Sequence, residues 1–251
     1  MMEKNKNNFN IIIPLYNVEK WIKYCIRSVK AQEYDNYHCY IIDDISTDDT
    51  HKIIKEEISN NDKFTLIKNK DKKYALLNIH DTIKSAGLKN DDVVVLLDGD
   101  DWFANKNVLK VLNETYNESD CLMTYGSYAE YPSGDLGKFA RQVPDDIIEN
   151  NLFRENEWMT SHLRTFKYKL WKKIDKTDFI NTKTKKFYKA AWDLAFMFPM
   201  LEMSGNRAKY IKDVMYVYNR QNPLNEDKIN HPVQIAEEQE IRYKKKYKRL
   251  K

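Results

Sequence analysis

Val93-Val94-Val95-Leu96-Leu97-Asp98-Gly99-Asp100-Asp101-Trp102 passes from five consecutive apolar residues to three carboxylates within four positions. A short apolar run bounded by polar residues reads as a strand buried on both faces, as in parallel sheets. Acids clustered where such a strand ends repel one another unless a cation lies among them. Asp98, Asp100 and Asp101 are therefore candidate ligands of Mg²⁺ or Mn²⁺. Gly99 relieves crowding where the chain turns sharply. The competing interpretation is an acid-rich turn, since Asp tolerates turn geometry. Three acids directly behind a buried strand exceed what a turn requires.

Working outward, Phe9–Leu15 is a second continuous apolar run, closed by Pro14 and Asn17. Val18, Trp21, Ile22, Cys25, Ile26 and Val29 then recur at helical spacing. Residues 37–42 read as a strand ending at Asp43-Asp44, and Ser46-Thr47-Asp48 offer N-caps for a helix with Ile53, Ile54 and Ile58 inward. A strand at 64–67 and a helix at Tyr74–Ser85 complete the alternation up to the 93–97 strand. Such alternation implies an α/β fold, a parallel sheet with right-handed crossovers and helices on both faces. Ligands of open sheets bind at the carboxyl ends of the strands, where Tyr16-Asn17, Asp43-Asp44 and 98–101 all fall. Beyond Trp102 the pattern is mixed. It predicts a helix at 107–116, a strand at 121–126, and a loop with Pro132, Gly134 and Gly137. Helices are expected at 166–174 and 192–203, a strand at 210–218, and a charged helix from Val233.

With 251 residues and no internal period, one domain is expected. Lys and Arg number 42 against 38 Asp and Glu, and the surplus of +4 is concentrated in Arg242-Tyr243-Lys244-Lys245-Lys246-Tyr247-Lys248-Arg249. That stretch is expected to be a solvated helix end rather than a nucleic-acid or membrane contact. Cys25, Cys39 and Cys121 are far apart and read as buried side chains in a reducing compartment, not a zinc set or disulfide framework. No signal-length apolar segment precedes the first strand and no run reaches the length of a membrane span. A soluble, cytoplasmic protein is expected.

Three segments together, Ile11-Ile12-Ile13-Pro14-Leu15-Tyr16-Asn17, Ile42-Asp43-Asp44-Ile45-Ser46-Thr47-Asp48-Asp49-Thr50 and Leu96-Leu97-Asp98-Gly99-Asp100-Asp101-Trp102, resemble the successive signatures of family 2 glycosyltransferases with the GT-A fold. Their order and spacing match over about 100 residues, with a looser similarity through Asp193. The resemblance implies a mostly parallel twisted sheet flanked by helices and continued by a C-terminal helical extension. It divides the chain into a catalytic domain at 1–220, with a nucleotide-sugar half at 1–105 and an acceptor half at 106–220, and a basic extension at 221–251. It further implies a UDP-linked or other nucleotide sugar donor, a divalent metal, and an acceptor that is a glycan, a glycoprotein or a small carbohydrate. Pro14, Tyr16 and Asn17 would line the uridine pocket, and Asp44 or Asp43 would contact base or ribose. Asp98 and Asp100 would reach the ribose and the metal-bound diphosphate, with Asp101 a competing metal ligand and Gly99 and Trp102 beside them. His162 would complete the metal shell or, with Arg164, contact the diphosphate; His231 is its competitor. The family's inverting displacement needs a carboxylate base, a role that falls to Asp193, with Glu202 as fallback and a helix N-cap as the alternative reading of Asp193.

Two departures from the family pattern carry consequences. Ala75-Leu76-Leu77-Asn78 lacks the usual Arg; Lys72 or Lys73 is a candidate to replace its charge, with a solvated lysine run as the competing reading. Ile45 stands where many relatives carry Gly, and its β-branch is expected to exclude a positive-φ turn and reshape that loop. Trp102, Trp158 and Trp192 are candidates for a sugar-stacking wall. An aspartyl phosphohydrolase would place its Asp-x-Asp on the first strand, and a nucleotidyltransferase would need a Gly-rich loop that a chain with 6 glycines lacks. A degenerate domain that binds a sugar nucleotide without turnover is the non-enzymatic alternative. The helix from Val233 either caps the domain or pairs two chains as a homodimer.

Overall fold

The computed structural model describes residues 6–118 and 120–251; residues 1–5, from which the absence of a signal segment was read, lie outside them. In chain order the elements are β1 (Phe9–Leu15), α1 (Ile22–Lys30), β2 (Tyr37–Asp43), α2 (Thr50–Glu57), β3 (Phe64–Lys68), α3 (Tyr74–Ser85), β4 (Val93–Leu96) and β5 (Trp102–Phe103). They continue with α4 (Val108–Glu118), β6 (Met123–Tyr131), α5 (Asp145–Glu149), β7 (Arg164–Lys167), α6 (Tyr168–Trp171), α7 (Leu194–Ser204), β8 (Ala208–Asn219), α8 (Glu226–Ile229) and α9 (His231–Arg242).

All strands join one sheet in the order β3-β2-β1-β4-β7-β6-β8-β5. The first four are parallel, β7 runs antiparallel to both β4 and β6, and β6 pairs in parallel with β8. The chain steps outward from β1 to β3 and then crosses to the other side of β1 to lay down β4. The carboxyl ends of β1 and β4 thus meet at a topological switch point, the place where open α/β sheets bind ligands.

Successive side chains on a strand point to opposite faces, which explains the unbroken apolar runs. Ile11, Ile13, Val93, Val95 and Leu97 pack with α1, α2 and α4 on one face. Ile12, Val94 and Leu96 pack with α3 and α7 on the other. α1 forms because Ile22, Cys25, Ile26 and Val29 supply one apolar stripe, and all four are buried. α7 is buried along its whole length, which suits a segment apolar on every side. The three cysteines are free and buried.

The second half departs from the expected elements in ways that have physical causes. Residues 166–174 are not one helix: Arg164–Lys167 is strand β7, and only Tyr168–Trp171 is helical. Phe166, Leu170, Trp171 and Ile174 mimic helical spacing because all four enter the same core. β6 begins two residues later than expected and runs on to Tyr131. The basic tail is not a solvated helix end. α9 stops at Arg242, and the residues after it form a strap: Tyr247 N–H donates to Glu202 at 2.9 Å, Leu250 N–H to the Met203 carbonyl at 2.9 Å, and Lys244 Nζ to the Thr177 carbonyl at 2.7 Å. Among the described residues no helix is long and apolar enough to cross a membrane.

Candidate active site

A cleft of about 940 Å³ opens at the carboxyl ends of β1, β2 and β4. Its first wall is built by the β1 and β2 exits. Pro14, Leu15, Tyr16, Asp44 and Ile45 line it, with Lys72, Tyr74 and Asn78 from the start of α3. Asp44 is the anchor of this wall. It accepts from Asn69 Nδ2 at 2.7 Å, Lys73 N–H at 2.9 Å and Tyr74 N–H at 2.9 Å. Burial alone would raise its carboxyl, but the bonds from Lys73, Asn69 and Tyr74 outweigh that and hold it below the usual carboxylate range. Lys72 Nζ sits 3.0 Å from the centre of the Tyr16 ring and 3.5 Å from Asp44 Oδ2. Lys72 thus brings its positive charge to this wall of the cleft, whereas Lys73 Nζ turns to Asp81 at 2.7 Å.

Ile45 corrects its expectation: its φ is +63°, left-handed despite the β-branch. Asn17 at +52° and Tyr74 at +63° share that region, so three strained backbones cluster at this wall. Asn17 does not line the cleft; its Oδ1 accepts from Thr47 N–H at 2.8 Å and its N–H donates to Ser46 Oγ at 3.0 Å, tying the β1 exit to the β2 exit. Asp43 also faces away. Fully buried, it accepts from Ser46 N–H at 2.8 Å and pairs with His51 Nδ1 at 2.8 Å.

The floor is the acidic turn. Gly99 is required there, because a Cβ on it would stand 2.4 Å from Leu15 Cβ. Asp98 and Asp100 line the cleft, and Asp100 accepts from Asn222 Nδ2 at 2.6 Å. Asp101 is taken up by β8, with Tyr216 O–H donating at 2.5 Å and Asn219 N–H at 2.7 Å. Burial pushes the Asp98 carboxyl up to about 6, with Asp100 adding to it against the pull of Arg164. Burial also raises Asp100, and burial with repulsion from Asp100 and Asp98 raises Asp101.

Opposite the turn stand Arg164, at the first position of β7, and Asp193, just before α7. Arg164 Nη2 lies 2.9 Å from Asp193 Oδ2 and donates to His162 Nε2 at 3.3 Å, while the guanidinium covers Trp192 at 5.5 Å. Asp193 makes no side-chain cap to α7, so the N-cap reading fails and the carboxylate is left to the cleft. Burial and the Arg164 charge push His162 well below its ordinary value, leaving a neutral ring stacked on Tyr216 with centroids 4.4 Å apart. Glu202 is remote from this chemistry, bound to Arg154 by two hydrogen bonds of 2.5 and 3.0 Å. The last wall comes from Trp158 and from Asn230, Gln234, Glu238 and Arg242 of the α9 region; His231 is not among the lining residues.

Residues 10–193 match the family model for glycosyl transferase family 2. The chain belongs to that family. GlyA of Streptococcus pneumoniae, a glycosyltransferase, is 23% identical over 64% of this chain and 23% of its own length. The Escherichia coli WfgD, named a UDP-Glc:α-D-GlcNAc-diphosphoundecaprenol β-1,3-glucosyltransferase, is 29% identical over 58% of this chain and 54% of its own. The chain thus spans about a quarter to a half of these relatives. Among solved structures, residues 1–349 of S. aureus TarS superpose with a TM-score of 0.65 at 20% identity, covering 84% of this chain and 60% of that one. The fold is therefore that of these GT-A glycosyltransferases.

The family's signatures come together only in part. Pro14, Tyr16, Asp44, Asp98, Gly99, Asp100, Asp101, His162 and Asp193 all line one cleft; Asn17, Asp43 and Trp102 do not. Trp102 packs between Tyr24 and Tyr131, at 5.6 and 5.2 Å. The expected metal set does not assemble, since among the described residues no group of three or more His, Cys, Asp or Glu side chains is arranged to hold an ion. Asp101 has both oxygens engaged by β8, and His162 accepts from a guanidinium that repels a cation. Asp98 and Asp100 do fit a divalent ion. They are crowded, part-buried carboxylates at the cleft floor, the condition that a cation relieves, and Mg²⁺ or Mn²⁺ commonly takes few protein ligands and fills its shell with water and phosphate. The pairing of Arg164 with Asp193, the β8 anchor Tyr216 and the α9 wall were not legible in the sequence, because each joins residues far apart in the chain.

Proposed function

We propose that the chain is a glycosyltransferase that moves a hexose-type unit from a UDP-sugar, or another nucleotide diphosphate sugar, to an acceptor hydroxyl with inversion. The observation that carries this reading is that Asp193 faces the acidic turn across one cleft. Relatives support the donor class: TarS is known in complex with UDP-GlcNAc, and PcManGT from Pyrobaculum calidifontis with GDP-Man and Mn²⁺. Tyr16 and Pro14 would pack on the nucleobase and Asp44 would accept from it or from the ribose. Asp98 and Asp100 would hold Mn²⁺ or Mg²⁺, which when bound supplies charge to stabilise the departing diphosphate.

The chain's own groups then divide the work. Arg164 fixes Asp193 by one oxygen and leaves the other to take the proton of the acceptor hydroxyl. As the acceptor's hydroxyl oxygen bonds to the anomeric carbon and gives its proton to Asp193, the carbon–diphosphate bond breaks on the opposite face and its electron pair departs on the diphosphate. Lys72 and Arg164 add positive charge on the donor side. The acceptor would be a glycan, a glycoprotein or a small carbohydrate.

The test is thermal-shift or calorimetric titration with UDP-, GDP- and dTDP-sugars, each in Mn²⁺ and in EDTA. A metal-dependent response to one nucleotide class is expected. No response to any of them would sink the reading.

A further inference from the structure

A helix on a protein surface normally turns its polar side to solvent. The first turns of α9 depart from this, although Ile241 near its end is buried in the core. Val233 and Ile235 are about half exposed, while Asn230, Gln234, Glu238 and Arg242, four residues apart, face the cleft. The end of this wall is firmly held. Arg242 Nη1 donates to the Arg154 carbonyl at 2.7 Å and the Asn156 carbonyl at 2.8 Å, and its guanidinium lies 5.1 Å over the Phe198 ring. Phe198 in turn meets Trp158 edge-on at 5.5 Å, so Trp158 and the Arg242 end of α9 share one support. Glu238 is oriented by Arg242 at 2.7 Å. Gln234 makes no side-chain hydrogen bond to another described residue, and its amide is left to the cleft.

We propose that the cleft face of α9, with Trp158, is the subsite for a neutral pyranose acceptor, Gln234 and Glu238 reading its hydroxyls and Trp158 packing against its C–H face. The inference rests on the glycosyltransferase reading and moves acceptor recognition from the 106–220 half into the C-terminal extension. An aromatic surface beside a free amide and an oriented carboxylate matches a sugar, which offers an apolar ring face and a rim of hydroxyls. Neutrality follows from pairing: Glu238 faces Arg242, Glu157 faces Arg141, and Glu130 lies 4.0 Å from Arg220. A charged acceptor would have to break one of these pairs.

Saturation-transfer NMR with methyl β-D-glucopyranoside, methyl β-D-galactopyranoside and methyl N-acetyl-β-D-glucosaminide, in the presence of UDP and Mn²⁺, tests the subsite. Gln234→Ala, on a half-buried face, and Trp158→Leu serve as variants, with UDP affinity as the control for folding. One pyranoside is expected to saturate, and both variants to weaken it about tenfold, with UDP binding unchanged. If UDP binds but no pyranoside saturates, or if the variants bind it as the parent does, the subsite is overturned. If pyranosides bind through Gln234 while UDP does not bind at all, the subsite stands and the nucleotide-sugar reading falls.

Discussion

Asp98, two residues beyond β4, carries a carboxyl that burial lifts from its ordinary 3.8 to about 6, and that has a stability consequence. An acid raised in the folded state stabilises the fold below its unfolded value, and the contribution is lost as pH rises through the folded value. For Asp98 that window runs from 3.8 to about 6, so at neutral pH its charge opposes folding. In EDTA at pH 7, Asp98→Asn is expected to melt ~4–8 °C above the parent, for ~2 kcal/mol, with the margin closing as pH falls below about 4. Mn²⁺ should then raise the parent and not the variant. Equal melting temperatures at pH 7 would show that the carboxyl carries no such cost. Asp193 behaves differently, because Arg164 already compensates its charge; Asp193→Asn is expected to abolish transfer while leaving nucleotide affinity within about twofold, and retained turnover would assign the proton to another group. Ile45 holds φ +63° against its β-branch, so Ile45→Asn, a residue that tolerates this region, should raise stability by ~1 kcal/mol in chemical denaturation. At this scale the acids were legible because their chemistry follows from type and position on a strand end. The engagement of Asp101 and His162 was not, since it depends on Tyr216, Asn219 and Arg164, which only the folded chain brings near.

Among the elements, α9 does more than cover the cleft. Its Glu237 is buried, and the carboxylate accepts from three consecutive N–H groups, Lys189 at 3.0 Å, Ala190 at 2.8 Å and Ala191 at 3.3 Å. Those groups lie just before Trp192-Asp193, so α9 sets where the proposed base stands. Removing the carboxylate leaves two buried donors, the Ala190 and Ala191 N–H groups, and the part-buried Lys189 N–H without it, at a cost of ~1–3 kcal/mol for each buried one that finds no other partner. Glu237→Ala is therefore expected to lower the transfer rate at least tenfold, and by more than it weakens donor affinity, since Lys189 of the same segment also reaches the donor wall, 4.2 Å over Tyr74. A rate equal to the parent's would leave Glu237 with a structural part only. The β1–β4 half was readable because strands buried on both faces and helices with one apolar stripe each announce their period. β7 was not, because Phe166 and the residues after it share one core and imitate a helix. Glu237 gave no signal either: in sequence it is one more acid in a charged helix.

Across the whole molecule, a buried ion pair joins the C-terminal segment to the rest beside the apolar contacts of Ile241, Tyr247 and Leu250 with the main core. Arg154 and Glu202 are almost wholly buried, with side-chain exposures of 2% and 0%. Arg154 Nη1 also donates to the Ile241 carbonyl at 2.7 Å near the end of α9, and Glu202 accepts from Tyr247 N–H in the strap. One pair thus ties the segment before β7, α7, α9 and the strap together. Burying charges costs as much as their attraction returns, so the pair adds little net stability when intact, but breaking it strands a buried carboxylate whose value burial already raises. Arg154→Met should cost ~3–5 kcal/mol, and Arg154→Met with Glu202→Leu should recover most of it. The loss should also be local before it is global. α9 and the strap lose their anchor, whereas the parallel strands keep both apolar faces. Hydrogen exchange of Arg154→Met is expected to show faster exchange across α9 and the strap, with β1 and β4 as protected as in the parent. Uniform loss of protection would mean that the two halves unfold as one unit, and that α9 cannot move over the cleft without unfolding the sheet beneath it.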